Sequence, residues 1–322
     1  MATYYNNDTI IYLNGELVKA ADAKIDLYSQ SLHYGYSVFE GIRSYKTVGG
    51  ETRIFKAKQH YDRLKNSALA MNMPYEWDTD ELIKATLDVL AKNKLQDAYI
   101  RPVVYAPANM SFARNTESFL TIEAWEMNPF LGDQLLRIMT SSFQRPNPKA
   151  FKIEAKAAGH YVNSILASQE AKARGFDEAL LTDMNGNVAE GPGANMFFEM
   201  SGQLFTPPPG NILPGITRAT VMELCRDHGI YVEERLFTSD ELKNADAAFF
   251  CGTAAEIIGW ESIDGTGFKK DWNDTVSKFL QTAYKELVVE KRTALPASGY
   301  SADKDRSVTE TLSELKLADV SE

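Results

Sequence analysis

Lys156 stands in Glu154-Ala155-Lys156-Ala157-Ala158-Gly159-His160-Tyr161, with small residues around it and a polar helix start after it. Room beside the amine is what a Schiff-base lysine needs. Most lysines are plain surface charges, and this one fits that reading as well. Glu190 precedes the turn Gly191-Pro192-Gly193, which leads into Ala194-Asn195. Stiff backbone beside an open approach lets such an acid hydrogen-bond a ring nitrogen; a solvated turn acid has the same local sequence. Two further segments have the build of anion cups. Leu213-Pro214-Gly215-Ile216-Thr217-Arg218 runs into a helix, where free N–H groups and the helix dipole favour a phosphate. Phe250-Cys251-Gly252-Thr253-Ala254-Ala255 follows an apolar strand and adds a threonine hydroxyl. Either cup alone also reads as an ordinary strand–turn–helix joint.

Other chemistries find less support. His33, His60, His160 and His228 are scattered, and Cys225 and Cys251 are isolated, so neither a metal site nor a disulfide framework is expected. There is no GxxxxGK[ST], no well-placed GxGxxG and no GxSxG.

The elements that must position these residues follow from periodicity and turn residues. Ile10–Leu13 and Glu16–Val18 flank Asn14-Gly15 and predict a hairpin. Helical spacing predicts helices over Lys58 to Met71, with Tyr61, Leu64, Ala68 and Met71 inward, and over Asp80 to Asn93, with Leu82, Ile83, Leu87 and Leu90 inward. Tyr99–Val104 and Phe119–Trp125 read as strands. Asn128 to Asp133 reads as a connector, and Leu135 to Met139 starts a new strand. Beyond it, hairpins are expected around Asn185-Gly186 and Ser201-Gly202, and helices over Tyr161 to Arg174, Ile216 to His228 and Asp274 to Glu290. The domain plan is therefore 1–127, a connector 128–134, a second domain 135–290, and a polar tail 291–322.

Length and charge agree with that plan. At roughly 150 residues per domain, 322 residues imply two domains. The 34 basic and 44 acidic residues leave a net charge of −10, which argues against nucleic acid or an anionic membrane as partner. No apolar run approaches the ~20 residues of a membrane span. The polar start MATYYNNDTI has no secretory-signal pattern, so a reduced, cytoplasmic protein is expected.

Taken in order, several motifs resemble the fold-type IV pyridoxal-phosphate enzymes, and among them the bacterial branched-chain-amino-acid aminotransferases. They are Leu32-His33-Tyr34-Gly35, Ser37 to Arg43, Tyr99-Ile100-Arg101-Pro102, the Lys156 segment, Glu190 to Asn195, Leu213 to Arg218 and Gly252 to Glu256. The resemblance covers about residues 8–290. It implies an α/β (α+β) two-domain fold like that of D-amino-acid aminotransferase, with pyridoxal 5'-phosphate as cofactor. Lys156 then carries the cofactor as a Schiff base and shuttles the Cα proton, Glu190 pairs with the ring nitrogen, and Tyr161 serves the ring hydroxyl. Arg63, the Ile216 and Thr217 amides and Thr253 take the phosphate. Tyr99, Thr253 and Ala254 take the substrate α-carboxylate, Tyr34, Phe39 and Gly41 its side chain, and Arg101 the distal carboxylate of glutamate. Arg43 supports Tyr99. Tyr34 and the loop Ala106 to Arg114 face a neighbouring subunit, which implies a homodimer or higher homo-oligomer.

The implied reaction moves the amino group of L-leucine, L-isoleucine or L-valine to 2-oxoglutarate in a ping-pong cycle. Alternatives within the same fold are a D-amino-acid or (R)-amine aminotransferase and aminodeoxychorismate lyase. A non-catalytic binding protein for a phosphorylated ligand is a third, which would need neither Lys156 nor Glu190. Two departures touch substrate choice. The loop that often holds Gly-Met-Gly here reads Ala106-Pro107-Ala108-Asn109-Met110-Ser111, and the interdomain segment reads Glu126-Met127-Asn128-Pro129-Phe130.

Overall fold

The computed structural model describes residues 4–127 and 134–291. The expected connector, apart from Gln134, and the expected tail after Lys291 lie outside the described residues.

The chain starts with the expected hairpin of β1 (Ile10–Leu13) and β2 (Glu16–Lys19). Asn14 and Gly15 both have positive φ, 49° and 101°, which matches the twist of a two-residue hairpin loop. The first sheet adds β3 (Ser37–Phe39), β4 (Ile42–Lys46), β5 (Thr52–Ile54), β6 (Ala98–Tyr105) and β7 (Phe119–Glu126). Its order is β2-β1-β7-β6-β4-β5, and every pairing is antiparallel. The strands β3 and β4 run end to end along β6, with Phe39 opposite Val103 and Ile42 opposite Ile100. Glu40-Gly41 is the break between them.

A short helix, α1 (Gln30–Tyr34), precedes β3. The long helices α2 (Ala57–Ala70) and α3 (Thr79–Asn93) cover one face of this sheet, burying Tyr61, Leu64, Leu82 and Leu90 against Val38, Ile42, Ile100 and Ile122. The inward face of α3 is turned from the expected one. It buries Leu82, Thr86, Val89 and Leu90, while Leu87 is exposed. Thr86 tolerates the core because its hydroxyl bonds the Leu82 carbonyl and meets the Tyr61 hydroxyl.

The second sheet holds β8 (Leu136–Gln144), β9 (Glu178–Thr182), β10 (Val188–Glu190), β11 (Asn195–Met200), β12 (Gln203–Thr206), β13 (Val232–Glu234), β14 (Ala247–Gly252), β15 (Glu256–Ile263) and β16 (Thr266–Gly267). The order is β10-β9-β8-β15-β14-β11-β12-β13, with β16 on β15. The pairs β8/β9, β8/β15 and β12/β13 are parallel and the rest antiparallel. Helix α4 (Tyr161–Ala173) sets Ala167 and Ala171 against Met139 and Leu181. Helices α5 (Ile216–Asp227) and α7 (Val276–Val288) bury Val221, Cys225 and Leu280 against Phe197 and Phe249. Between them lies the short α6 (Ser239–Leu242). The α7 segment was expected from Asp274. It starts as a 3-10 turn, Trp272–Asp274, and Thr275 then caps the helix by accepting from the Lys278 amide.

Two ties fix the site. Tyr45 and Phe55 reach from the first sheet into the core of the second, beside Phe197, Phe249 and Tyr284. The segment before α4 docks back onto the first sheet. There Phe39 N–H donates to the Lys156 carbonyl, and Gly159 N–H to the Gly35 carbonyl, both at 3.1 Å. Among the described residues, no helix is long and apolar enough to cross a membrane.

Candidate active site

A cleft opens where seven pieces of chain converge. They are the β3–β4 break, α2, β6, the segment before α4, the turn after β10, and the two cups ahead of α5 and after β14. Its wall includes Gly41, Arg63, Tyr99, Lys156, Tyr161, Glu190, Ile216, Thr217, Thr253 and Ala254. The two cups, far apart in sequence, thus face one space.

The backbone of Lys156 is held from both sides, its N–H donating to Ser67 Oγ at 3.0 Å and its carbonyl accepting from Phe39. A 3-10 turn, Ala158–His160, brings Tyr161 back beside it, and Nζ donates to the Tyr161 hydroxyl at 2.7 Å. Phe39 lies edge-on to Tyr161, with its ring centre 5.0 Å from Nζ. The amine therefore has a phenol and an aromatic wall as neighbours, a setting open to a planar partner.

Glu190 ends β10, almost wholly buried. Its carboxylate pairs with Arg145 Nε at 2.9 Å, accepts from Asn195 Nδ2 at 2.8 Å, and accepts from the Leu213 amide at 3.2 Å. Burial raises its pKa, and the Arg145 charge and the Leu213 amide work the other way. It is a fixed acid facing the cleft, rather than a solvated turn residue.

At the other end, Arg63 gives two parallel hydrogen bonds to Glu40, Nε to Oε1 at 2.6 Å and Nη2 to Oε2 at 2.9 Å, while Nη1 reaches the Pro214 carbonyl at 2.9 Å. His60 Nδ1 lies 2.7 Å from Glu40 Oε2. Burial alone would raise the Glu40 carboxyl. The charge of Arg63 and the hydrogen bonds from His60 and Arg63 outweigh it and hold Glu40 well below the ordinary carboxylate range. Burial depresses His60, so it meets Glu40 as a neutral donor. The Arg63 side chain is 11% exposed, drawn inward by Glu40. Beside it, Gly215 stands at the N-cap of α5 and supplies no side-chain cap, so the first-turn amides of Ile216 and Thr217 keep their donor capacity toward the cleft. A Cβ at Gly215 would collide with the Asn195 side chain.

The remaining expected residues divide. Tyr99 lines the cleft, and its hydroxyl accepts from Arg101 Nη2 at 3.1 Å. A Cβ at Gly41 would collide with that hydroxyl. The Arg101 guanidinium lies over the rings of Phe39 and Tyr99, 4.6 and 5.2 Å from their centres. Arg43 sits opposite Tyr99 in the β4/β6 register, but its guanidinium pairs with Glu256 at 3.0 Å, which also accepts from Tyr45 at 2.9 Å. It braces the turn after β14 and does not line the cleft. Tyr34 lies in a separate surface hollow beside Phe112, Gln30 and Arg114. Sequence reading missed Glu40, His60, Arg145 and Asn195. Two local signals existed: a charged residue inside the apolar run Ser37 to Ile42, and His60 one helical turn before Arg63.

A buried acid, an amine beside a phenol and an anion cup, set around one cleft, suit a phosphorylated heteroaromatic aldehyde. A family model described as amino-transferase class IV matches residues 37–263. A relative from Pseudomonas aeruginosa, named branched-chain-amino-acid aminotransferase, is 40% identical over 295 residues, 90% of this chain and 96% of the relative. The crystal structure of branched-chain aminotransferase from Thermoproteus uzoniensis with norvaline matches at a TM-score of 0.84 and 36% identity, covering 88% of this chain and 95% of that one. That of the T.th. branched-chain amino acid aminotransferase complexed with N-(5'-phosphopyridoxyl)-L-glutamate matches at 0.82 and 37%, covering 88% and 95%. The fold-type IV architecture expected from the motifs is present, and the chain belongs to the class IV aminotransferase family.

Proposed function

We propose that this chain is a pyridoxal-5'-phosphate-dependent aminotransferase that moves the amino group of L-leucine, L-isoleucine or L-valine to 2-oxoglutarate in a ping-pong cycle. The observation that carries the reading is the convergence of Lys156 with Tyr161, buried Glu190, and the Arg63–Ile216–Thr217–Thr253 cup on one cleft. The donor set fits the cofactor: an amine for its aldehyde, a carboxylate for its ring N–H, and uncapped amides with a cation for its phosphate. Relatives named for branched-chain substrates, and related structures holding norvaline or a phosphopyridoxyl-glutamate, support the substrate pair.

When bound, the cofactor supplies an electron-withdrawing ring that stabilises negative charge at the substrate Cα. Lys156 Nζ is the base that would take the proton from the substrate Cα and deliver it to the cofactor's carbonyl-derived carbon. Tyr161 orients that amine through its hydrogen bond to Nζ. Glu190, fixed by Arg145, Asn195 and Leu213, offers a carboxylate oxygen to the ring N–H. The Tyr99 hydroxyl and the backbone at Thr253 and Ala254 receive the α-carboxylate. Phe39 and Gly41 bound the apolar side chain, and Arg101 receives a distal carboxylate. Arg43 acts through Glu256, on the turn that carries Thr253. Tyr34 and the loop 106–114 serve the site of a second copy in a homodimer, and the exposed aromatic rings of Tyr34 and Phe112 support this. Two buried thiols without a disulfide suit the cytoplasm.

Incubation with L-leucine, D-alanine or (R)-1-phenylethylamine, each with 2-oxoglutarate, tests the reading. Glutamate is expected from the leucine sample. Glutamate from only the other two would replace this function with a D-amino-acid or (R)-amine one.

A further inference from the structure

Glu123 on β7 is the direct cross-strand partner of Arg101 on β6. Directly opposed residues of an antiparallel pair share one sheet face, with Cβ atoms about 4.5–5.5 Å apart. Two positions along, Tyr99 and Trp125 are paired in the same way on that face, and Tyr99 lines the cleft. Glu123 is half-buried, and burial pushes its carboxyl up while the Arg101 charge pulls it back. Arg101 is enclosed by the rings of Phe39, Tyr99 and Trp125, and its buried Nε has no hydrogen-bond partner among the described residues.

We infer that Glu123 is a specificity-determining residue: it is the counter-charge that lets the pocket at Arg101 hold an apolar side chain as well as a distal carboxylate. This rests on the substrate reading above. An apolar side chain entering the pocket strips water from Arg101 and brings no charge in return. A cation stripped of water is costly, and Glu123 on the next strand sets a negative charge near it. A dicarboxylate brings its own anion, and two carboxylates beside one guanidinium repel. Glu123 therefore favours the apolar ligand and moderates the dicarboxylate, which keeps the two affinities close enough for one pocket to serve both halves of the cycle.

The test uses holoenzyme with two unreactive ligands, 4-methylvalerate for the apolar side chain and glutarate for the dicarboxylate. Dissociation constants are measured by calorimetry for wild type, Glu123→Gln and Glu123→Asp, with Glu123→Leu as a second charge-free variant in case the glutamine form folds poorly. Removal of the charge should shift the ratio of the two constants about ten-fold toward glutarate, while aspartate keeps it within about two-fold. A ratio that stays within about two-fold in both charge-free variants, or parallel weakening of both ligands, overturns the inference and leaves Glu123 a structural partner of Arg101. Wild-type turnover of leucine with 2-oxoglutarate is assayed alongside. Its absence overturns the substrate reading, and the titration, which needs no turnover, still decides the role of Glu123.

Discussion

Arg63 owes its position to Glu40, a residue that does not itself line the cleft. The pair is buried and bidentate, so the guanidinium is held in one orientation with Nη1 on the Pro214 carbonyl. Glu40→Gln removes the charge and turns an amide donor toward Arg63. The expected outcome is a loss of about 3 kcal/mol of stability, from breaking a buried pair, and about ten-fold weaker cofactor binding. Thermal melts of the apoenzyme and a cofactor titration measure the two; unchanged cofactor affinity would free Arg63 from this dependence. The sign with pH follows from the depressed Glu40 pKa. Its stabilising contribution is complete above the unfolded value of 4.5 and is lost as pH falls through the lower folded value. The residue scale also shows what was readable in advance. Lys156, Glu190 and the cups carry marks in their own neighbours, such as alanines, a Gly-Pro-Gly turn and a helix start. Glu40, Arg145 and Glu123 take their meaning from partners distant in sequence: Arg63, Glu190 and Arg101. A charge inside an apolar run marks Glu40, but no local pattern names its partner.

At the scale of elements, the break between β3 and β4 does more than end a strand. It lets the chain drop Glu40 inward to Arg63 and leave Gly41 as floor beneath the Tyr99 hydroxyl. Gly41→Ala puts a methyl group where that hydroxyl sits. Tyr99 must swing away and lose its hydrogen bond from Arg101. The expected result is a KM for the amino acid raised about ten-fold, with cofactor affinity retained, because Lys156, Glu190 and the α5 cup stand on other elements. Stopped-flow half-reactions and a cofactor titration separate the two; equal loss in both would make the break a scaffold for the whole site. The same stretch explains which elements sequence reading missed. The strands β3 and β4 are buried on both faces save Lys46, so they lack the alternation that marks a half-exposed strand. Helix α1 has only five residues, too few to show a period. The helices α2, α4, α5 and α7, each solvated on one side, were placed to within about two residues at either end. The α3 face was misread because Thr86, a polar residue in the core, does not register in an apolar stripe.

At the scale of the whole molecule, the described residues of one copy leave an apolar surface exposed. Leu27, Tyr28, Leu32 and Tyr34 are exposed around α1, Met110 and Phe112 on the loop after β6, and Val162, Ile165 and Leu166 along α4; Phe112 is 92% exposed. These pieces are adjacent. Ser29 bridges to Ala108, Tyr34 stacks near Phe112, and Gly35 bonds Gly159 just ahead of α4. Exposed apolar groups gathered in this way mark an association surface. The net charge of −10 opposes association only weakly, since exposed charges more than about 8 Å apart are largely screened at physiological salt. The proposed two-fold dimer would pair this surface with its own copy, so that Tyr34 and the 106–114 loop of each copy reach the other's cleft. Phe112→Asp sets a charge in the middle of that surface and touches no residue of the cofactor cup. It is expected to convert the proposed dimer to a monomer that still binds the cofactor, through Arg63, Lys156 and Glu190 of its own chain, but has lost most of its kcat/KM for leucine. Light scattering gives the mass, and absorbance of the bound cofactor gives occupancy. Activity measured across a dilution series shows whether turnover follows the dimer. A wild-type monomer with full activity, or a Phe112→Asp dimer with unchanged kinetics, would show that each copy completes its own pocket.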